Sequence, residues 1–456
     1  MDMQDNTLAG PRARTAAGSM AIGGIVACLA LIAPAAAGDW TQFYIGAGIG
    51  ADAVTGKVEA ADDFGNAVRA EGMGGGDIGL TLRLGADYQM NNWLVLGAFA
   101  NFDWSNIETT ASVTDGVDSA SAKLMKLNYA WAIGGRAGVL VTPSVMVYGL
   151  LGYTRVDLDD PSVTFGGNTY SLELPSYDGV VFGGGFEHKL TNDVSLTGEY
   201  RQSRFDSAVL FANPDVTIRG EPTLHVGRIG VAYRFGGAAE APASYGGSAE
   251  ASSRWTGFYL AAGFGADALT RDLSLDIPGL NVSAALDGLG GGDIGGTVTA
   301  GYDRLIGGRY LLGIFGSYDF SGHETEVSAN VFGTTASIDL LSLDRGWSIG
   351  GRAGLLLADD VLAYGLLGYT HVAFADISFA GGGLSGGFAF PEFSGVVLGA
   401  GFEKSFGSGF SLRAEYRVSL LDEESVFAIP GVVSLDMDPT IHTARILLSY
   451  KFGASD

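Results

Sequence analysis

Arginine and carboxylate side chains recur at matched places within otherwise apolar, glycine-rich stretches of this 456-residue sequence. One set is Arg83, Asp87, Asp103, Arg136, Glu187, Glu199, Arg201 and Arg228; the second is Asp303, Asp319, Arg352, Glu403, Glu415, Arg417 and Arg445. Both signs are present in near balance. The chemistry such a mixture supports is mutual neutralisation, because a charge taken out of water is costly alone and tolerable when paired and hydrogen-bonded. The rival use is a charged ring selecting ions in a conducting pore, but a selective ring usually carries one sign. A structural network of ion pairs is therefore expected.

Other motifs point to less. The stretches GMGGGDIG (72–79) and GLGGGDIG (288–295) have the glycine content of a phosphate-cradling loop or a calcium repeat. A phosphate loop needs a strand before it and a helix after it, and the calcium motif needs contiguous copies. The glycines read instead as the flexible end of a loop entering a strand. The five histidines are scattered and form no HExxH or clustered ligand set, so neither a metal nor a cofactor is expected. His323, beside Glu324 and Glu326, is the nearest approach to a catalytic set; the corresponding stretch upstream holds Asn106 and Glu108 and no histidine. A solvated loop histidine is the expectation there. No catalytic residue is assigned, and the chain is not expected to be an enzyme.

The elements that must position the charges follow from a period of two. In FYIGAGIGADA, Phe43, Ile45, Ala47, Ile49 and Ala51 are apolar, whereas Tyr44, Gly46, Gly48, Gly50 and Asp52 are small or polar. Such alternation predicts a strand. Further strands are expected near 76–88, 93–105, 122–141, 144–158, 177–190, 193–205 and 223–235. Tight turns at QMNN, TP and TND alternate with long polar loops near 57–75, 106–121, 159–176 and 206–221. Short turns at one end and long loops at the other are the asymmetry of outer-membrane barrels. Trp40, Phe43, Tyr88, Trp93, Tyr233 and Phe235 fall at the short-turn end, where an interfacial aromatic girdle belongs.

All of this is said twice. WTQFYIGAGIGADAVT at Trp40 returns as WTGFYLAAGFGADALT at Trp255, and PTLHVGRIGVAYRF at Pro222 returns as PTIHTARILLSYKF at Pro439. Glycine, at 72 residues, is about twice the usual share, and charged residues are 17% of the chain against about 25% typically. Arg12 and Arg14 precede an uncharged run, Met20 to Ile32, and an Ala-x-Ala site at Ala35 to Ala37. Residues 1–37 therefore read as a signal peptide, with a run too short to span a bilayer as a helix. Cys28, the sole cysteine, lies inside that segment. The net charge is −24, which disfavours nucleic acid as a partner.

These residues resemble a known family. The WTGFY-type opening at Trp255 to Tyr259 (WTQFY at Trp40 to Tyr44), the repeated YGLLGYT strand, the GFE and EYR strands, and the closing Tyr-x-Phe at Tyr233 to Phe235 and Tyr450 to Phe452 are similar to the small eight-stranded outer-membrane barrels. These are the OmpA-type and opacity-protein-like group, including immunogenic surface proteins of alphaproteobacteria. The resemblance implies an all-β fold in the cell outer membrane. Two tandem eight-stranded antiparallel barrels are expected, at 38–236 and 255–456, joined by an Ala/Ser/Gly/Pro linker at 237–254; the alternative is one sixteen-stranded barrel. The expected role is structural, in membrane integrity or as an adhesion or antigen protein, with a porin for small solutes as the alternative. The expected partners are outer-membrane lipid and lipopolysaccharide, the barrel-insertion machinery, and a host or phage ligand at the long loops.

Overall fold

The computed structural model describes residues 40–236 and 253–453, apart from 116, 166–167, 172, 214, 322–323, 332–333 and 382–383. The expected signal segment and most of the expected linker lie outside the described residues. The described chain is antiparallel β almost throughout. The first copy supplies β1 (Phe43–Asp62), β2 (Ala67–Gln89), β3 (Leu94–Ser105), β4 (Ser119–Thr142), β5 (Val145–Leu158), β6 (Tyr177–Lys189), β7 (Val194–Phe205) and β8 (Val216–Phe235). The second supplies β9 (Gly257–Ile277), β10 (Val282–Ile306), β11 (Tyr310–Ser321), β12 (Thr334–Ala358), β13 (Val361–Phe374), β14 (Glu392–Gly407), β15 (Phe410–Leu421) and β16 (Val433–Lys451).

Each strand of the first copy pairs with the next, and β8 returns to β1, placing Phe43 opposite Phe235. The second copy repeats the circuit, and its last strand returns to its first with Tyr259 opposite Lys451. Alternation along the strands sorts the side chains by face. Ile45, Leu82, Leu151 and Ile314 point outward and are exposed, while Arg83, Asp87, Arg136 and Glu199 are buried inside.

The strands outrun their expected limits at the loop end. The segment 57–75, expected as a loop, is a hairpin in which β1 and β2 stay paired out to Ala61 opposite Ala67. Asp62 closes it, accepting from the Phe64 N–H at 2.9 Å, the Asn66 N–H at 2.8 Å and the Asn66 side-chain amide at 2.7 Å. The Asn66 hydrogen bonds hold the Asp62 carboxyl below its usual range. GMGGGDIG accordingly lies within β2 and is not a flexible loop end. The other loops carry short strands as well, among them Glu108–Thr114, Ser162–Phe165 and Ala208–Ala212. Polarity suggested solvated loop there; hydrogen bonding along a hairpin outweighs it.

Inward glycines make room for inward tyrosines. A methyl on Gly85 would lie 2.5 Å from Cζ of Tyr44, and one on Gly301 would lie 2.5 Å from Cζ of Tyr259. Gly185 and Gly401 stand in the same relation to Tyr148 and Tyr364, at 3.0 Å and 2.9 Å. Large and small residues thus alternate across a narrow interior, as a close-packed core requires. Gly85→Val should overpack this space and cost about 1–3 kcal/mol, read as a lowered urea midpoint of the folded, heat-modifiable form. Gly65→Ala in the exposed hairpin turn has nothing within 4 Å but carries φ +87, so its smaller loss reports backbone strain alone.

Candidate functional site: the charged interior and the loop rim

The inward rows of the first copy bring the expected charges together in layers. At the short-turn end, Arg136 donates to Asp87 at 2.8 Å and to Glu187 at 3.2 Å. Arg234 donates to the same two carboxylates, at 2.8 Å and 2.7 Å. Above them Arg83 pairs with Glu199, which also accepts from Tyr148 at 2.6 Å and lies 3.0 Å from Arg201. Arg201 continues to Asp103 at 2.7 Å. Arg228 donates to Asp52 at 2.8 Å and to Thr81 at 2.8 Å, and Thr81 in turn donates to Asp103.

The second copy builds the equivalent stack. Arg352 bridges Asp303 at 2.8 Å and Glu403 at 3.0 Å. Lys451 reaches Asp303 at 2.6 Å, and Arg413 reaches Glu403 at 3.0 Å. Glu415 accepts from Tyr364 at 2.8 Å and pairs with Arg417 at 2.5 Å and Arg445 at 3.2 Å. Arg445 also pairs with Asp319, the member nearest the loop end, whose side chain is about one-third exposed.

Four charges absent from the sequence reading belong to these stacks: Asp52, Arg234, Arg413 and Lys451. Strand parity could have found all of them. Arg234 stands an even number of residues from Arg228, Lys451 from Arg445, Arg413 from Glu415, and Asp52 from Gly50. The copies also compensate for one another's differences. Arg83 in β2 becomes Thr299 in the second copy, whereas Thr197 in β7 becomes Arg413. The arginine has crossed the interior, and a carboxylate still meets it on either side.

Trp40 departs from its expected place in the girdle. Tyr88, Trp93, Tyr233 and Phe235 are exposed at the short-turn end, but Trp40 is fully buried. Its indole N–H donates to the Pro143 carbonyl at 3.0 Å, and Lys189 and Arg234 lie 4.5 Å and 4.6 Å from its ring centre. Trp255 repeats the arrangement, donating to the Asp359 carbonyl at 2.9 Å with Lys451 at 5.8 Å. Each tryptophan precedes its first strand, so the chain can fold it across the opening, where cation–π attraction holds it.

The rim offers little chemistry. His323 and the side chains of Glu324 and Glu326 lie outside what the structure describes. His371, which the sequence reading passed over, lies between Ser394 Oγ at 3.0 Å and Glu392 at 3.1 Å on the outer wall. Nucleophile, base and acid are the right types, but acyl transfer also needs free N–H donors for the oxyanion. The backbone here runs inside the β13–β14 ladder, which uses those donors. The first copy has Arg155 and Asp178 at the corresponding positions, 3.5 Å apart. Among the described residues, no group of three or more His, Cys, Asp or Glu side chains is arranged to hold a metal ion.

Alternating membrane-type strands, paired interior charge and an aromatic short-turn end define an outer-membrane β-barrel protein. The model of the outer membrane protein beta-barrel domain matches the chain twice, over residues 24–235 and 239–452, and the chain belongs to that family. It is similar to the 31 kDa outer-membrane immunogenic protein of Brucella melitensis, at 27% identity over 169 residues, covering 35% of this chain and 67% of the relative. Among solved structures, the attachment invasion locus protein Ail of Yersinia pestis matches at 16% identity and TM-score 0.22, covering 43% of this chain and all of Ail. The Pseudomonas putida toluene transporter TodX matches at 12% identity and TM-score 0.30, covering 90% of each chain.

Removing one member of a buried ion cluster strands the others. Arg352→Met leaves Asp303 and Glu403 short of a partner and should cost about 3–5 kcal/mol, measured as loss of urea resistance in detergent. Arg345→Met breaks a half-exposed pair with Asp344 and should move stability by no more than about 0.5 kcal/mol.

Proposed function

We propose that the chain forms two eight-stranded barrels, residues 38–236 and 255–456, tethered by 237–254, and serves as a non-conducting, non-catalytic surface protein of the outer membrane. The observation that carries this reading is the stack of paired charges inside each copy, closed at one end by a buried tryptophan. An eight-stranded barrel is just wide enough to be filled by its side chains, whereas sixteen strands leave a channel. The interior space found in the second copy, between Asp319, Ser348, Arg417 and Thr443, is about 40 Å³, room for a few waters. A sixteen-stranded ring would need β8 to pair with β9. Here β8 is occupied by β7 and β1, which supports separate closure.

Hairpin loops projecting from a rigid wall are where binding usually resides. The role that fits is structural, in membrane integrity, or adhesive and antigenic. The immunogenic relative favours a surface-exposed role. Lipopolysaccharide surrounds the loop end, and a host or phage ligand would meet the loops beyond it. Folding would pass through the barrel-insertion machinery.

Planar-bilayer recording tests the central point. The intact protein should give no stable conductance steps, and Arg136→Ala with Arg234→Ala, which empties the lower layer of cations, should give small, flickering ones. Large, stable steps from the unsubstituted protein would establish a porin instead.

A further inference from the structure

Lipid-facing positions on most strands are bulky and exposed. One stretch of wall differs. Where β1, β2, β7 and β8 face β9, β10, β15 and β16, the outward residues are small and buried: Ala51 and Ala53 meet Ala268 and Ala444, with Tyr416 packed alongside. The backbones approach so closely that a methyl on Gly76 would lie 3.0 Å from the Ala268 Cβ, and one on Gly292 would lie 2.4 Å from the Ala53 Cβ. Methyls on Gly227 and Gly198 would lie 2.4 Å and 3.1 Å from the Cβ atoms of Ala444 and Ala414.

These contacts obey a two-fold rule. The repeat turns Gly76 into Gly292 and Ala53 into Ala268, so Gly76–Ala268 and Ala53–Gly292 are one contact seen from both sides. Gly227 meets its own counterpart Ala444, Gly198 meets Ala414, and Gly74 pairs with Gly290, as residues on a two-fold axis must. The loop ends obey it too. Residues 110–114 pair with 283–287, Thr114 opposite Ser283, while 326–330 pair with 67–71, Asn330 opposite Ala67. A shift of 216 positions converts either ladder into the other, register included. This is the signature of an isologous interface.

The energetics suit a membrane. Between lipid-facing walls there is no hydrophobic drive, so association depends on close packing of small residues and on polar contacts. Polar residues in lipid are costly, yet outward parity places two hydrogen-bonded pairs at this seam. Tyr200 meets His225 at 2.9 Å and Tyr416 meets His442 at 2.7 Å, with both histidines buried and His442 lying 3.8 Å from Asp77 of the other copy. Each copy screens the polar pair of the other from lipid.

Resting on the two-barrel reading, we infer that this seam is a two-fold dimer interface whose occupant is the other copy. The face holds the barrels side by side, and the linker merely keeps them in one chain. Hairpins one and two of each copy are spent on this contact. Ligand recognition therefore falls to the third and fourth loops, 159–176 and 206–215 and their counterparts, on opposite flanks of the axis.

The test uses the full chain with a protease site placed in residues 237–252 and cut after purification in mild detergent. The cut protein should elute as one species of full-length mass. With Gly227→Trp and Ala444→Trp wedged into the seam, it should elute as two halves, each still heat-modifiable. If the cut, unsubstituted protein separates into two heat-modifiable halves, the interface is overturned and the two-barrel reading stands. If the wedged protein cannot be divided without unfolding, the two-barrel reading falls and the interface with it. Symmetry is read separately from disulfides in a Cys28→Ser background, Cys28 being the sole native cysteine. Val113→Cys with Ala284→Cys, and Val68→Cys with Ala329→Cys, should cross-link equally well, and success of one pair alone would refute the two-fold relation.

Discussion

A charge held away from bulk water is costly unless paired, and nearly all the inward charges of this protein follow from that constraint; Arg271, buried in β9 without an ion pair, is the exception among the described residues. Carboxylates from β2, β3, β6 and β7 are reached by guanidiniums from β2, β4, β7 and β8, so each layer ties several strands together across the interior. A buried pair is weak evidence for net stability, since desolvation can equal the Coulombic gain. Its firmer consequence is that loss of either partner is punished. The exchange of Arg83 for Thr299 and of Thr197 for Arg413 fits that rule. One arginine is required among these carboxylates, but more than one strand can supply it. The glycine and tyrosine rows obey the same geometry in volume rather than charge.

The outward face answers to a different solvent. In hydrocarbon every backbone N–H and C=O has to be paired within the protein, which only helices and closed sheets achieve. Return of the last strand to the first removes the edge in each copy. Past the bilayer that demand lapses, yet the ladders continue into the loops, and two of them cross between copies. Hydrogen bonding there is a choice among partners, water included. The hairpins are consequently the part of the fold that sequence alone places least well.

That division explains what could be read beforehand. Within the wall, period-two alternation placed strand ends to within a few residues, as at β3, expected near 93–105 and found at Leu94–Ser105. Inward parity is the rule on which the interior charges were expected, and the four omitted ones, Asp52, Arg234, Arg413 and Lys451, share it. What failed was non-local. Trp40 looked like a girdle residue because its neighbours Phe43 and Tyr88 are near the same end, and nothing adjacent to it signals that it folds under Lys189 and Arg234. GMGGGDIG looked like loose chain because glycine is read as freedom, whereas here it permits two walls to touch. Ala51 and Ala53 obey the outward rule and give no sign of a partner, which only the three-dimensional arrangement supplies.

The seam also bears on why the copies are joined. The on-axis contacts near the bilayer level each combine one glycine with one alanine: Gly227 with Ala444, and Gly198 with Ala414. Two of the first copy would place glycine against glycine and leave a gap; two of the second would place alanine against alanine, where even one methyl is already close. An identical pair on a two-fold axis can only change both residues at once, and each such change is doubled in effect. Fusion removes that restriction, because either side of the axis can then be altered alone. The mixed pairs are what a symmetric contact would become once its halves were free to differ, and they make each copy a better fit for its tethered neighbour than for a duplicate of itself.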